Sequence, residues 1–141
     1  MTVDDPDMTM RCLDELKEIS VLFGQAQIDA GADALTFPDH ATGDLMPYIA
    51  QTGMAAFHFD SKNDPQAAMD AVDGGIRLVG NINNPETLYA RGPAEVREEV
   101  RKCLDAGVQL VAPECAIPLA TKLENLLEIP RAVKEWHGER D

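Results

Sequence analysis

Four short stretches of this chain end on side chains able to do chemistry. The run VQLVAPECAIP, from Val108 to Pro118, closes on Glu114 and Cys115; ALTFP is followed by Asp39 and His40, AAFHF by Asp60, and RLVG by Gly80 and Asn81. A carboxylate beside a thiol offers a proton acceptor next to a soft metal ligand, and an asparagine amide offers a polar ligand both a donor and an acceptor. Gly80 permits close backbone approach. In AAFHF the two-residue period of a strand sets Ala56, His58 and Asp60 on one face and Phe57 and Phe59 on the other. His58 then faces the way Asp60 does, one layer deeper. Each of these readings has a plain structural counterpart. A histidine inside a strand is commonly a hydrogen-bonded core residue, a loop such as PDHATGD is commonly only a turn, and Gly-Asn followed by Asn-Pro reads as a turn and a helix start.

These residues need elements that aim them at one place. A short apolar run rich in β-branched residues, entered from a Gly107 helix stop, reads as a buried parallel strand. Strands are expected at Ala34–Phe37, Ala55–Phe59, Ile76–Val79 and from Val108. Between them lie a short helical stretch from Leu45 to Thr52, a helix from Pro65 to Val72 ended by Asp73-Gly74-Gly75, and a helix opened by Pro93. The last of these carries Val96, Val100, Cys103 and Leu104 along one stripe, which places Cys103 in the core. An amphipathic helix from Met8 to Ala30 precedes them, with Cys12 expected as a small buried or half-buried thiol. A final helix follows the last strand. Thr121 and Glu124 make a T-x-x-E capping pattern, Pro130 is expected to kink or interrupt the helix, and the tail from His137 is expected to fray. No two-residue hairpin signal occurs. The order, one helix and then four strand–helix rounds, is an α/β pattern with a parallel sheet, and such sheets carry their chemistry at the carboxyl ends of the strands.

The chain has 141 residues, enough for one domain over 1–141 and too few for a complete eight-stranded barrel of about 250 residues. Its formal charge of −13, from 25 acidic and 12 basic residues, repels nucleic acid and anionic membranes and favours small molecules or proteins as partners. No apolar run approaches the roughly 18 residues of a membrane span, and the acidic start MTVDDPD lacks the plan of a signal peptide. The expected location is the cytoplasm. Three widely spaced cysteines do not make a disulfide framework, which leaves reduced thiols or a metal ligand. There is no Gly-rich dinucleotide loop, Walker lysine or serine elbow.

Taken together, GADALTFPDHATGDL, YIAQTG, LVGNINNPETL, VAPECAIP and LENL resemble the carboxyl-terminal half of the uroporphyrinogen decarboxylase superfamily. Within it the chain looks most like the corrinoid-linked methyltransferases of the methylcobalamin:coenzyme M type. The likeness runs from Cys12 to Trp136. It implies a partial TIM barrel of about four strand–helix units, with zinc that activates a small thiol as methyl acceptor and a methyl-corrinoid on a partner protein as donor. In that family zinc is held by a His-x-Cys pair on one strand and by a later cysteine, which matches Cys115. The His-x-Cys strand has no counterpart here, because the chain passes from Leu45 straight into MPYIAQTG, so its ligand roles are not carried over. Asp39, His40, Asp60, Asn81 and Glu114 remain as rim candidates for substrate. Asp39, His40, His58, Asp60 and Glu114 are chemically able to complete a set with Cys115 if they come within about 2.0–2.3 Å of one metal.

A half-barrel leaves two open edges and an uncovered inner face. Either a second copy of the chain covers them, or the strands rearrange into an open sheet with helices on both faces; dimerisation leaves local structure unchanged. Two alternatives to methyl transfer follow: a non-catalytic half-barrel that binds a partner subunit or a corrinoid protein, and a tetrapyrrole decarboxylase. The decarboxylase branch depends on amino-terminal arginines and an aspartate that this length of chain does not include.

Overall fold

The computed structural model describes residues 6–31, 46–50 and 54–139. The chain divides into two compact units, Met1–Leu35 and Thr36–Asp141. In the first, α1 (Pro6–Asp29) starts with proline in its first turn and Asp7 near its positive end, and it closes at Gly31 with φ 97°. The helix is where the apolar spacing places it. Along its stripe, however, Leu16, Ile19 and Phe23 are each more than half exposed, and Cys12 is exposed, against the expectation of a buried or half-buried thiol. Helical backbone bonds form within the segment, whereas burial needs a partner surface that periodicity does not supply.

The second unit holds the core. Its described elements are α2 (Met46–Ala50), β1 (Ala56–His58), α3 (Pro65–Val72), β2 (Arg77–Ile82), a π-helix (Asn84–Tyr89), α4 (Pro93–Asp105), β3 (Leu110–Pro113) and α5 (Leu123–Gly138). The three strands form one parallel sheet in the order β1-β2-β3, with Phe57 opposite Leu78 and Gly80 opposite Val111. This is the α/β architecture expected from the alternation of strand and helix signals. The fourth expected strand, Ala34–Phe37, lies outside the described residues, as do Asp39 and His40.

Local chemistry sets the boundaries. Asp64 caps α3 by accepting from the Gln66 and Ala67 amides at 3.1 Å, with Pro65 at the first helical position, and Asp73 (φ 43°) then turns the chain out of the helix. Gly92 precedes Pro93 in α4, and the Glu95 carboxylate accepts from the Gly92 amide at 3.1 Å. Val96, Val100, Cys103 and Leu104 of α4 are buried with Phe57, Phe59, Leu78, Ile82, Leu88, Ile129 and Ala132 in one core. Ala56 and His58, on the opposite pleat of β1, are only half-buried. Arg97 of α4 pairs with Glu128 and Glu135 of α5, and the Trp136 indole donates to Asp105 at 2.8 Å.

Three expectations are corrected at the carboxyl end. The capping residue of α5 is Lys122, not Thr121: the Thr121 amide already closes a turn onto Pro118 at 2.9 Å, and its hydroxyl is buried without a partner. Pro130 does not interrupt α5, which continues through it to Gly138, past the expected frayed start at His137. Packing of Ile129 and Ala132 and the Arg97 ion pairs hold the helix where the missing proline donor would weaken it. Among the described residues no helix is long and apolar enough to cross a membrane.

Candidate functional site

The carboxyl ends of the three strands meet in two layers of hydrogen bonds. In the deeper layer the Asn81 amide donates to the carbonyls of Asp60 (3.0 Å) and Asn63 (2.8 Å), and its oxygen accepts from the Cys103 thiol of α4 at 3.1 Å. Asn81 thus ties the β1 loop to β2 and to the helix layer. Its polarity is spent on the protein itself, not held out to a ligand. Asp60 is 6% exposed, and its carboxylate accepts from the Lys62 amide at 3.1 Å and the Asn63 side chain at 2.9 Å. The His58 ring donates through Nε2 to the Pro113 carbonyl at 2.9 Å, reaching from the first strand to the third. That is the hydrogen-bonded core role. Burial pushes the Cys103 thiol up from its ordinary pKa, so it stays protonated and donating.

Glu114 organises the upper layer. One carboxylate oxygen accepts from the Ser61 amide at 2.8 Å and the other from the Asn84 amide at 3.0 Å, so one side chain after β3 holds the segments that leave β1 and β2. Asn83 donates to the Ser61 hydroxyl at 2.9 Å and caps the π-helix by accepting from the Glu86 amide at 2.7 Å, and its own amide donates to Glu99 of α4 at 2.9 Å. Asn84 donates from its side chain to the Ala116 carbonyl at 3.0 Å. Cys115 lies between Glu114 and Ala116, exposed and outside any disulfide.

Asp60, Asn81, Glu114 and Cys115 therefore share one end of the sheet, as the strand–loop alternation implies. The partners that fix them, Ser61, Asn63, Asn83, Asn84 and Glu99, do not stand out in the sequence by type. Their one signal is position, since four of the five lie within three residues after a strand-terminal candidate. A catalytic zinc needs three protein ligands and an open position. Among the described residues no three His, Cys, Asp or Glu side chains converge on one point. His58 and Glu114 are turned to backbone groups, and the donor set stops at Cys115, so the described residues do not make a zinc site.

Parallel strands alternating with helices, with their polar side chains gathered at the strands' carboxyl ends, define part of a TIM-barrel protein. Residues 37–136 match the uroporphyrinogen decarboxylase (URO-D) family, and the chain belongs to it. The chain is similar to methylcobamide:CoM methyltransferase MtaA of Methanosarcina barkeri, 23% identical over 175 positions that cover 97% of the chain and 52% of the relative. It is also similar to methylated-thiol–coenzyme M methyltransferase of Methanosarcina mazei, 29% identical over 99 residues that cover 68% of the chain and 27% of the relative. A solved methyltransferase from Methanosarcina mazei shares the fold, with a TM-score of 0.68 and 21% identity over 96% of this chain and 52% of that one. The chain thus spans about half the length of relatives it matches. The 175 aligned positions of the first relative exceed the 141 residues of this chain, so the aligned part of that relative carries residues without counterpart here.

Proposed function

We propose that the chain serves methyl transfer from a methyl-corrinoid on a partner protein to a small thiol, and that Cys115 is its contribution to the metal-binding chemistry of that reaction. The observation that carries this reading is the placement of Cys115, an exposed thiol on the strand-end rim of a fold shared with methylcobamide:CoM methyltransferases. Zinc, were it held there, would supply a lowered pKa to an acceptor thiol and so favour its thiolate form. Asp39 and His40, outside the described residues, are chemically able to supply further ligands, as is a second chain. Within this chain, Glu114 and Asn81 hold the strand ends together, and His58 fixes β1 against β3.

The test pairs elemental analysis with turnover. The purified chain, alone and with its candidate partners, is supplied with methylcobalamin and coenzyme M, and the corrinoid spectrum is followed. Bound zinc and methyl transfer that are both lost in Cys115→Ala support the reading. Transfer that survives Cys115→Ala unchanged, or zinc that stays bound without the thiol, overturns it.

A second reading, a non-catalytic half-barrel that binds a partner subunit, draws on a different observation. Leu110 of β3, Leu119 of the following loop, and Leu123 and Leu127 of α5 are all exposed, Leu119 completely. Large apolar side chains exposed on β3, the loop after it and α5 would be the ones another chain covers.

A further inference from the structure

The geometry points to Asn84 and Glu114 as a clasp that positions Cys115, a role that rests on the reading of Cys115 as a metal-binding thiol. Asn84 grips the Cys115 segment from both sides. Its backbone amide donates to Glu114, one residue before the cysteine, at 3.0 Å, and its side-chain amide donates to the carbonyl of Ala116, one residue after it, at 3.0 Å. Two hydrogen bonds from one residue thus hold the flanks of Cys115 while its thiol stays exposed. The second oxygen of Glu114 accepts from the Ser61 amide at 2.8 Å, which extends the grip to the first strand.

Asn84 is itself firmly held. It is 3% exposed, it begins the π-helix, and Pro85 follows it. Its side-chain oxygen is buried without a partner. A buried acceptor left unpaired is unfavourable, and rotating the amide would set its oxygen against the Ala116 carbonyl. The donation to Ala116 therefore decides the orientation. A leucine of the same size would fill the space and hold nothing, so the asparagine is explained by the loop it restrains. A thiol meant to meet a metal or a substrate must stand within a fraction of an ångström of its working position, and the Glu114 amide, which donates to the Ile82 carbonyl at 2.9 Å, adds to the hold on the residue before it. Asn84 and Glu114 are positioning residues, acting through the Cys115 backbone.

The experiment reads the position of Cys115 directly and requires neither metal nor corrinoid. In a Cys12→Ser background, where Cys103 is buried, a nitroxide attached to Cys115 reports loop mobility by electron paramagnetic resonance. The clasp predicts a restricted spectrum in the parent. Asn84→Ala and Glu114→Gln should each release a mobile component, with mobility rising about fivefold to tenfold for the loss of one such bond, while the thermal midpoint of each variant shows that the chain is folded. Spectra in folded variants that superimpose on the parent overturn the proposal. If both variants fail to fold, hydrogen exchange in the unaltered chain decides: Ser61 and Asn84 amides that exchange at the unprotected rate overturn the clasp, and protection of about tenfold sustains it. Released labels in a chain that transfers no methyl group keep the clasp and remove the functional reading. Methyl transfer dependent on Cys115, with unchanged spectra, does the reverse.

Discussion

Gly80 stands at φ 139°, and a Cβ built on it would lie 2.5 Å from the Phe59 carbonyl oxygen and 3.2 Å from the Phe59 ring. Both the backbone conformation and the space exclude a side chain, and the obstacle is backbone of the neighbouring strand, which cannot swing aside. Gly80→Ala is therefore expected to cost about 2–3 kcal/mol, read as a fall in the urea midpoint with an unchanged slope. The same close approach brings β1 near enough for Asn81 to bind the carbonyls of Asp60 and Asn63. At this scale the residue types were legible: the sequence marks Asp60, Asn81, Glu114 and Cys115 as strand-end polar residues, and the structure puts all four at one end. What each side chain does with its hydrogen bonds was not legible. Apart from those of Asp60 to Lys62 and Asn63, the bonds join residues some 20 to 50 positions apart, as between Glu114 and Ser61, and local spacing carries no record of such pairs.

Elements were the most readable level. Pro65 and Asp73 bound α3, Pro93 and Gly107 bracket α4, and the apolar stripe of α4 is the buried one. Asp64 shows how such a boundary responds to pH. Its hydrogen bond and ion pair with Lys102 at 2.7 Å, aided by the Ala67 amide, hold the carboxyl below its ordinary value of 3.8. The unfolded chain thus takes up the proton at a higher pH than the folded one. The stabilisation is fully present above the ordinary carboxyl value and is lost as pH falls through the lower folded value. Asp64→Asn keeps a competent helix cap but removes the charge. At neutral pH it should lower stability by roughly 0.5 kcal/mol or less, because the pair is exposed and screened. The gap to the parent should narrow as pH falls from the ordinary carboxyl value through the lower folded value, as thermal midpoints measured across the acid range would show. Thr121 and Pro130 mark where reading at this scale stopped. A turn onto Pro118 and the packing of α5 on α4 outweighed a cap motif and a helix breaker, and both arise from contacts beyond the local segment.

For the molecule as a whole, Leu110, Leu119, Leu123 and Leu127 stand exposed. If the chain completes a barrel with a second copy of itself, light scattering should give twice the monomer mass of 15.4 kDa. Leu123→Glu combined with Leu127→Glu should then return the chain to monomer while leaving its far-ultraviolet circular dichroism intact. A parent chain that is monomeric at all concentrations would point instead to a different partner chain. The sequence by itself determined the parallel α/β order, the stops between elements, the family likeness and the set of residues at the strand ends, because periodicity, caps and breakers act within a dozen residues. Tertiary structure alone decided that His58 and Asn81 serve the scaffold, that Glu114 joins three strands, that Asn84 grips the cysteine loop, and that Leu16, Ile19 and Phe23 of α1 are exposed. Those outcomes depend on which distant groups arrive at hydrogen-bonding distance, and only the folded chain brings them there.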